Sequence, residues 1–176
     1  NYDERYLFED NVRYDGSSRL APESRWRAFP SFSGAWRLDR EDWFNGNAIN
    51  NLKVRASWGQ LGNGAVLGLY DYIPLIESSV EQGNKTYFQS SMASKSKTWA
   101  VISTTNIGVD FGMFDGRLSA SADWYTKIND NMLSSLSLPS IVGVYVPDAN
   151  VGKLKTWGWE IDLRWKDRIG DLGYQV

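Results

Sequence analysis

Apolar and polar residues alternate at every second position in five stretches of the chain, the repeat of a β-strand whose successive side chains point to opposite faces. In Ser31–Leu38 the apolar set is Phe32, Trp36 and Leu38, with Gly34 in register. In Leu52–Leu61 it is Leu52, Val54, Ala56 and Trp58, opposed by Lys53, Arg55, Ser57 and Gly59. In Asn106–Met113 it is Ile107, Val109, Phe111 and Met113, opposed by Asn106, Gly108, Asp110 and Gly112. Arg117–Ile128 sets Leu118, Ala120, Ala122, Trp124 and Ile128 against Ser119, Ser121, Asp123 and Tyr125. Trp157–Trp165 sets Trp157, Trp159, Ile161, Leu163 and Trp165 against Gly158, Glu160, Asp162 and Arg164. Weaker alternation predicts a first strand near Arg5–Tyr14 and a last one from Leu172. No stretch has a helical period, so the expectation is an all-β chain of about seven strands.

The connections alternate in length. Phe114-Asp115-Gly116-Arg117 reads as a tight hairpin on Asp-Gly, and 167–171 as another short turn. The connection 39–51 is moderate, with its bend at Asn45-Gly46. Long connections lie near 16–30, 62–98 and 129–151. Short turns therefore fall at one rim of the sheet and long loops at the other, the arrangement of a transmembrane β-barrel. Loops of this length are uncommon in compact soluble domains, and strands of about 9–11 residues suit a tilted bilayer crossing. Strands that cross lipid must close into a barrel, because no water is there to satisfy an open edge. The alternative is a soluble, surface-attached β-sandwich that binds glycans, with the apolar faces packed together and the loops forming the site. A passive porin-type barrel is a third reading.

Composition narrows the chemistry. The chain has 176 residues, with 19 Lys+Arg against 21 Asp+Glu, a formal net charge of −2, no Cys and no His. Thiolate chemistry, disulfides and the commonest metal ligand and general base are excluded. The charge balance lacks the basic footprint expected for nucleic-acid binding. No cofactor or metal is expected. Nine Trp, nine Tyr and seven Phe make up 14% of the chain. The strand tryptophans, including Trp36, Trp58, Trp124, Trp159 and Trp165, all share the apolar face. That suits a lipid-facing surface with aromatic girdles near the headgroups.

Lys53, Arg55, Asp110, Asp123, Glu160, Asp162 and Arg164 lie on the opposite face, where they are expected to line a wet lumen. Paired carboxylates such as Glu160 and Asp162 also suit glycoside hydrolysis, but basic residues share their face and nothing separates their acidities. No catalytic residue is assigned. Tyr70, Tyr72, Tyr87, Phe88 and Trp99 in the longest loop are candidate contacts for a ligand or a capping partner. The run Asp39-Arg40-Glu41-Asp42 reads as a solvated turn.

Several stretches taken in order resemble the SusC-like TonB-dependent transporters. They are Ser17–Pro22 leading to Arg25-Trp26, Phe29–Arg37, Asn51–Asn63, Asn106–Gly112, Asp123-Trp124-Tyr125, Gly158-Trp159-Glu160, and Trp165 followed by Ile169-Gly170-Asp171. The resemblance spans nearly the whole chain except 64–97. It implies an outer-membrane barrel of about 22 strands with a plugged lumen. It further implies import of oligosaccharides or oligopeptides, a SusD-like surface lipoprotein as lid, and a TonB complex engaged through a part of the protein preceding this sequence. Residues 1–176 are then expected to form one segment of a barrel domain, a piece of a longer chain.

Overall fold

The computed structural model describes residues 2–46, 48–65, 67–135, 139 and 148–176. Seven antiparallel strands form one sheet: β1 (Tyr6–Gly16), β2 (Trp26–Arg37), β3 (Ile49–Asn63), β6 (Ala100–Met113), β7 (Leu118–Ser134), β8 (Ala149–Ile169) and β9 (Leu172–Gln175). Each strand pairs with its predecessor in that order, and these are the seven that the alternation predicts. The sheet does not close on itself. β1 forms one edge, and β8, beyond the short β9, forms the other.

The remaining two strands, β4 (Ile76–Glu81) and β5 (Asn84–Gln89), make a separate hairpin inside the long connection after β3. The alternation missed this hairpin. Gln82 and Gly83 turn it, both at positive φ, the backbone a two-residue hairpin loop requires. Tyr87 and Phe88 therefore lie on a strand, and as neighbours they point to opposite faces of it.

Observed strands run longer than the alternation suggested. β7 has 17 residues and β8 has 21. Their outer thirds carry Asn, Asp, Lys and Gly, which hides the period even though the ladder continues to the Ser134–Ala149 pair. The β6–β7 turn also departs from expectation. The left-handed backbone falls on Phe114 and Asp115 as well as Gly116, so the tight turn is centred one residue earlier than Asp-Gly. Gly116 N–H donates to the Met113 carbonyl at 3.2 Å and closes it.

A small core sits at the long-loop rim, where Leu20, Phe29, Leu67, Trp99 and Val101 are buried together. Elsewhere the sheet is a single layer, and among the described residues nothing stacks on its apolar face. Val109, Ile161, Leu163, Trp157 and Trp159 are exposed there. The β-sandwich alternative required those side chains to be covered by a second sheet, and the structure overturns it.

Gly83 has φ +83° with open space around its missing side chain. Gly83→Val should therefore cost about 1–2 kcal/mol through backbone strain alone. In hydrogen exchange of the full-length protein the loss of protection should be confined to β4 and β5. Spread into β3 or β6 would contradict this.

Candidate functional site

The ladder fixes which side chains share a face. One face carries successive cross-strand rows: Phe32, Trp58, Thr105, Thr126, Trp157; then Gly34, Ala56, Ile107, Trp124, Trp159; then Trp36, Val54, Val109, Ala122, Ile161. Below them lie Leu52, Phe111, Ala120 and Leu163, then Met113, Leu118 and Trp165. All five candidate aromatics of the apolar face thus sit on one surface. Stacked pairs lie near its margins, Tyr6 on Trp36 at 6.2 Å and Phe32 on Trp58 at 6.0 Å. Phe114 meets Trp165 edge-on at the short-turn rim.

Trp157 and Trp165 bracket this band on β8. At about 3.4 Å per residue and a tilt of about 40°, the span between them is about 20 Å, near the height of the apolar belt of outer-membrane barrels. Above the Trp157 row the same face becomes mostly polar, with Gln60, Ser103 and Lys155 flanking Ile128 in the next row. The outer parts of β7 and β8 therefore project beyond the belt.

The opposite face brings the candidate charges together. Arg55, Gly108, Asp123 and Glu160 form one cross-strand row, and Lys53, Asp110, Ser121 and Asp162 the next. Arg55 spans three strands. Its Nε donates to Asp110 at 3.1 Å, and its Nη2 donates to Asp123 at 2.6 Å across the gap that Gly108 leaves. A Cβ at 108 would collide with both the Asp123 carboxylate and the Arg55 guanidinium. Lys53 adds a looser contact to Asp110 at 3.8 Å, and Arg164 pairs with Asp162 at 3.1 Å along its own strand. Glu160, directly across from Asp123, is exposed. Alternation alone could not single out Gly108, because its importance lies in what two neighbouring strands place against it.

In the long connections the candidate rings separate. Tyr70 and Tyr87 are well exposed, Phe88 is about half exposed and Tyr72 is partly buried. Trp99 differs: only 6% exposed, it packs edge-on against Phe29 and donates its indole N–H to the Arg25 carbonyl at 3.2 Å. Just before β6, and clustered with Leu20 and Phe29, it is a core residue of the rim rather than a displayed surface.

The short-turn rim corrects another expectation. Asp39-Arg40-Glu41-Asp42 is a clasp rather than a solvated run. Glu41 accepts the Trp36 indole at 2.8 Å and the Tyr6 hydroxyl at 2.7 Å. Arg5 donates to both carboxylate oxygens of Asp42, and Asp39 holds Arg37 and the Leu52 N–H. The turn after β2 thereby grips the entry to β1 and the start of β3. The Trp36 hydrogen bond, then that of Tyr6, holds the Glu41 carboxyl below its ordinary range. Burial pushes Asp39 up, but its bonds from Arg37 and Leu52 prevail and keep it low. Among the described residues no cluster of acidic side chains is arranged to hold a metal ion.

Three comparisons bear on this architecture. The model of the TonB dependent receptor-like β-barrel family matches residues 1–175. TonB-dependent receptor SusC of Bacteroides thetaiotaomicron is 30% identical over 186 residues, covering 98% of this chain and 18% of SusC. The RagAB peptide importer in its closed-closed state superposes with a TM-score of 0.81 at 26% identity, over 96% of this chain and 19% of that one. Its open-open state gives a TM-score of 0.86 over 99% of this chain and 20% of that one at 24% identity, a likeness of fold. The chain thus spans about a fifth of the length of these relatives.

Three outcomes follow. Ile161→Lys, in the middle of the apolar belt, should destabilise the inserted full-length protein by about 2–4 kcal/mol, while Ser121→Lys on the other face should cost far less. Unfolding from lipid vesicles by denaturant measures both, and equal penalties would contradict the assignment of faces. Gly108→Val should drive Arg55 from Asp123 and cost about 1–3 kcal/mol by leaving a carboxylate unpaired. The temperature at which the folded band disappears, in gels of samples heated stepwise before loading, reads the loss. At the clasp, both depressed carboxyls contribute above their ordinary range, and the contribution is lost as pH falls through the folded values. Proteolysis within 38–48 should accelerate between about pH 5 and pH 3, and acceleration on raising the pH would refute it.

Proposed function

The chain belongs to the TonB-dependent receptor-like β-barrel family, and from that premise we propose that residues 1–176 form part of the barrel wall of a SusC-like outer-membrane importer. The cargo is an oligosaccharide or oligopeptide. A SusD-like surface lipoprotein caps the long-loop rim, and a TonB complex supplies energy through another part of the full-length protein. The wall itself does no catalysis. It hides backbone polarity from lipid on its aromatic face and offers charged and small side chains to a water-filled passage on the other.

The observation that carries this reading is the single-layer sheet with its apolar face uncovered. A soluble protein would not leave Trp159, Ile161 and Leu163 at 60–69% exposure in one patch. Similarity to SusC supports a nutrient receptor, and similarity to a peptide importer keeps peptides among the cargoes. Tyr70, Tyr87 and Phe88, displayed at the long-loop rim, are the rings proposed to meet cargo or lid. The inner charges, already paired by Arg55 and Arg164, are proposed to line the passage.

Deleting the full-length gene in its host tests the proposal. Uptake of labelled oligosaccharides or oligopeptides should fall to background, and a tagged copy should copurify with a surface lipoprotein. Unchanged uptake of every oligomer class, together with a lone receptor, would sink it.

A further inference from the structure

Three consecutive residues at the entry to β6 each tie down a different segment of the long-loop rim. Lys97 is 6% exposed, and its Nζ donates to Asp71 Oδ2 at 2.6 Å, in the segment that leads to the β4–β5 hairpin. Asp71 is held a second time, its carbonyl accepting Ser94 N–H at 2.7 Å. Thr98 bonds to Asn150 at the start of β8: Thr98 N–H donates to Asn150 Oδ1 at 2.9 Å, and Asn150 Nδ2 returns to the Thr98 carbonyl at 3.0 Å. The same Nδ2 donates to the Asn131 carbonyl at 2.6 Å, where β7 bulges and Asn131 takes φ +56°. Trp99 donates to Arg25 in the connection between β1 and β2, and its ring shares a core with Leu20 and Phe29. Arg19 closes the circuit by donating to the Leu67 carbonyl at 2.7 Å.

These contacts are expensive to break one at a time. Separating Lys97 from Asp71 leaves a buried ammonium without its partner. Removing the Asn150 amide strands three backbone groups at once. Withdrawing Trp99 opens the only buried apolar cluster among the described residues. Because the three anchors are neighbours in the chain, at the end of a strand paired on both sides, no one connection can shift without moving the residues that hold the other two.

We infer that the connection 17–25, the hairpin-bearing connection 64–99 and the outer ends of β7 and β8 act as one mechanically coupled body, with Lys97-Thr98-Trp99 as its hub. A contact made on the exposed hairpin is then felt at the first connection and at the β7–β8 ribbon, with no ligand bridging them. The inference concerns mechanics alone and stands apart from which cargo is carried.

Hydrogen exchange of the full-length protein in detergent tests it. Asn150 touches neither 17–25 nor 64–96 directly, yet Asn150→Ala should raise exchange about threefold or more in both, besides its own surroundings. Asp71→Asn, made on the hairpin side, should likewise raise exchange in 17–25 and 148–152. Protection of β3, β6 and the lower half of β7 should stay unchanged in both variants, which separates coupling from a failure to fold. If either variant loosens only the residues it touches, the hub is not a coupling element. If Asn150→Ala fails to insert, Asp71→Asn alone decides. Because exchange is read without cargo, loss of import with coupling intact would count against the proposed function and leave this inference standing.

Discussion

Everything in this structure follows from the cost of an unpaired backbone amide in hydrocarbon. A strand that crosses lipid has no water to turn to, so every N–H and C=O must find a neighbouring strand. The β6–β7 ladder meets that demand without interruption from Val101–Asp130 down to Met113–Leu118. With the backbone so committed, side chains are sorted by the pleat alone. The two faces become a greasy wall and a wet wall, with no third layer to bury either. The sheet leaves its edges at β1 and β8 open, as part of a barrel wall does.

That same simplicity made the wall legible in the sequence and the rim opaque. Where only two environments exist, period-two alternation carries the register, and Val54, Val109 and Ile161 could be set on one face without coordinates. Past the Trp157 row both faces of β7 and β8 mix apolar with polar residues, Ile128 beside Lys155 and Leu154 beside Asn129, and a bulge interrupts the ladder at Asn129–Met132, so the period is lost there. The β4–β5 hairpin was missed for a related reason. Ile76, Ser78 and Val80 do alternate with Glu77, Ser79 and Glu81, but the run is only six residues long and lies inside a long connection that reads first as loop. Trp99 was placed among displayed rings because sequence gives its neighbours along the chain and not Phe29 and Leu20 across it. The clasp at Glu41 was invisible because it depends on Arg5 and Tyr6, more than thirty residues earlier.

The charges of the inner face are arranged economically. Arg55 takes two carboxylates from two different strands, and it can do so because Gly108 stands between them. An arginine suits that place better than a lysine, since its planar fork can address two acceptors while its charge is fixed at any pH the membrane meets. The result is a face on which Lys53 and Arg55 offset Asp110 and Asp123, with Lys127 on β7 and Glu160 on β8 exposed beside them. If this face lines the proposed passage, its paired charges give that passage little net attraction for either sign of cargo.

At the long-loop rim the structure changes character. Side chains are buried, a lysine is committed to an ion pair, and an asparagine amide ties three backbone segments. Such contacts are out of place on flexible surface loops, which seldom retain a buried core. They are the contacts of a small folded unit mounted on the ends of the strands. Under the proposed function such rigidity would serve recognition, because a ring displayed on an ordered hairpin meets its partner without first losing conformational freedom. The wall is shaped by lipid, whereas the rim is held by the few residues around Lys97, Thr98 and Trp99 that tie its segments together.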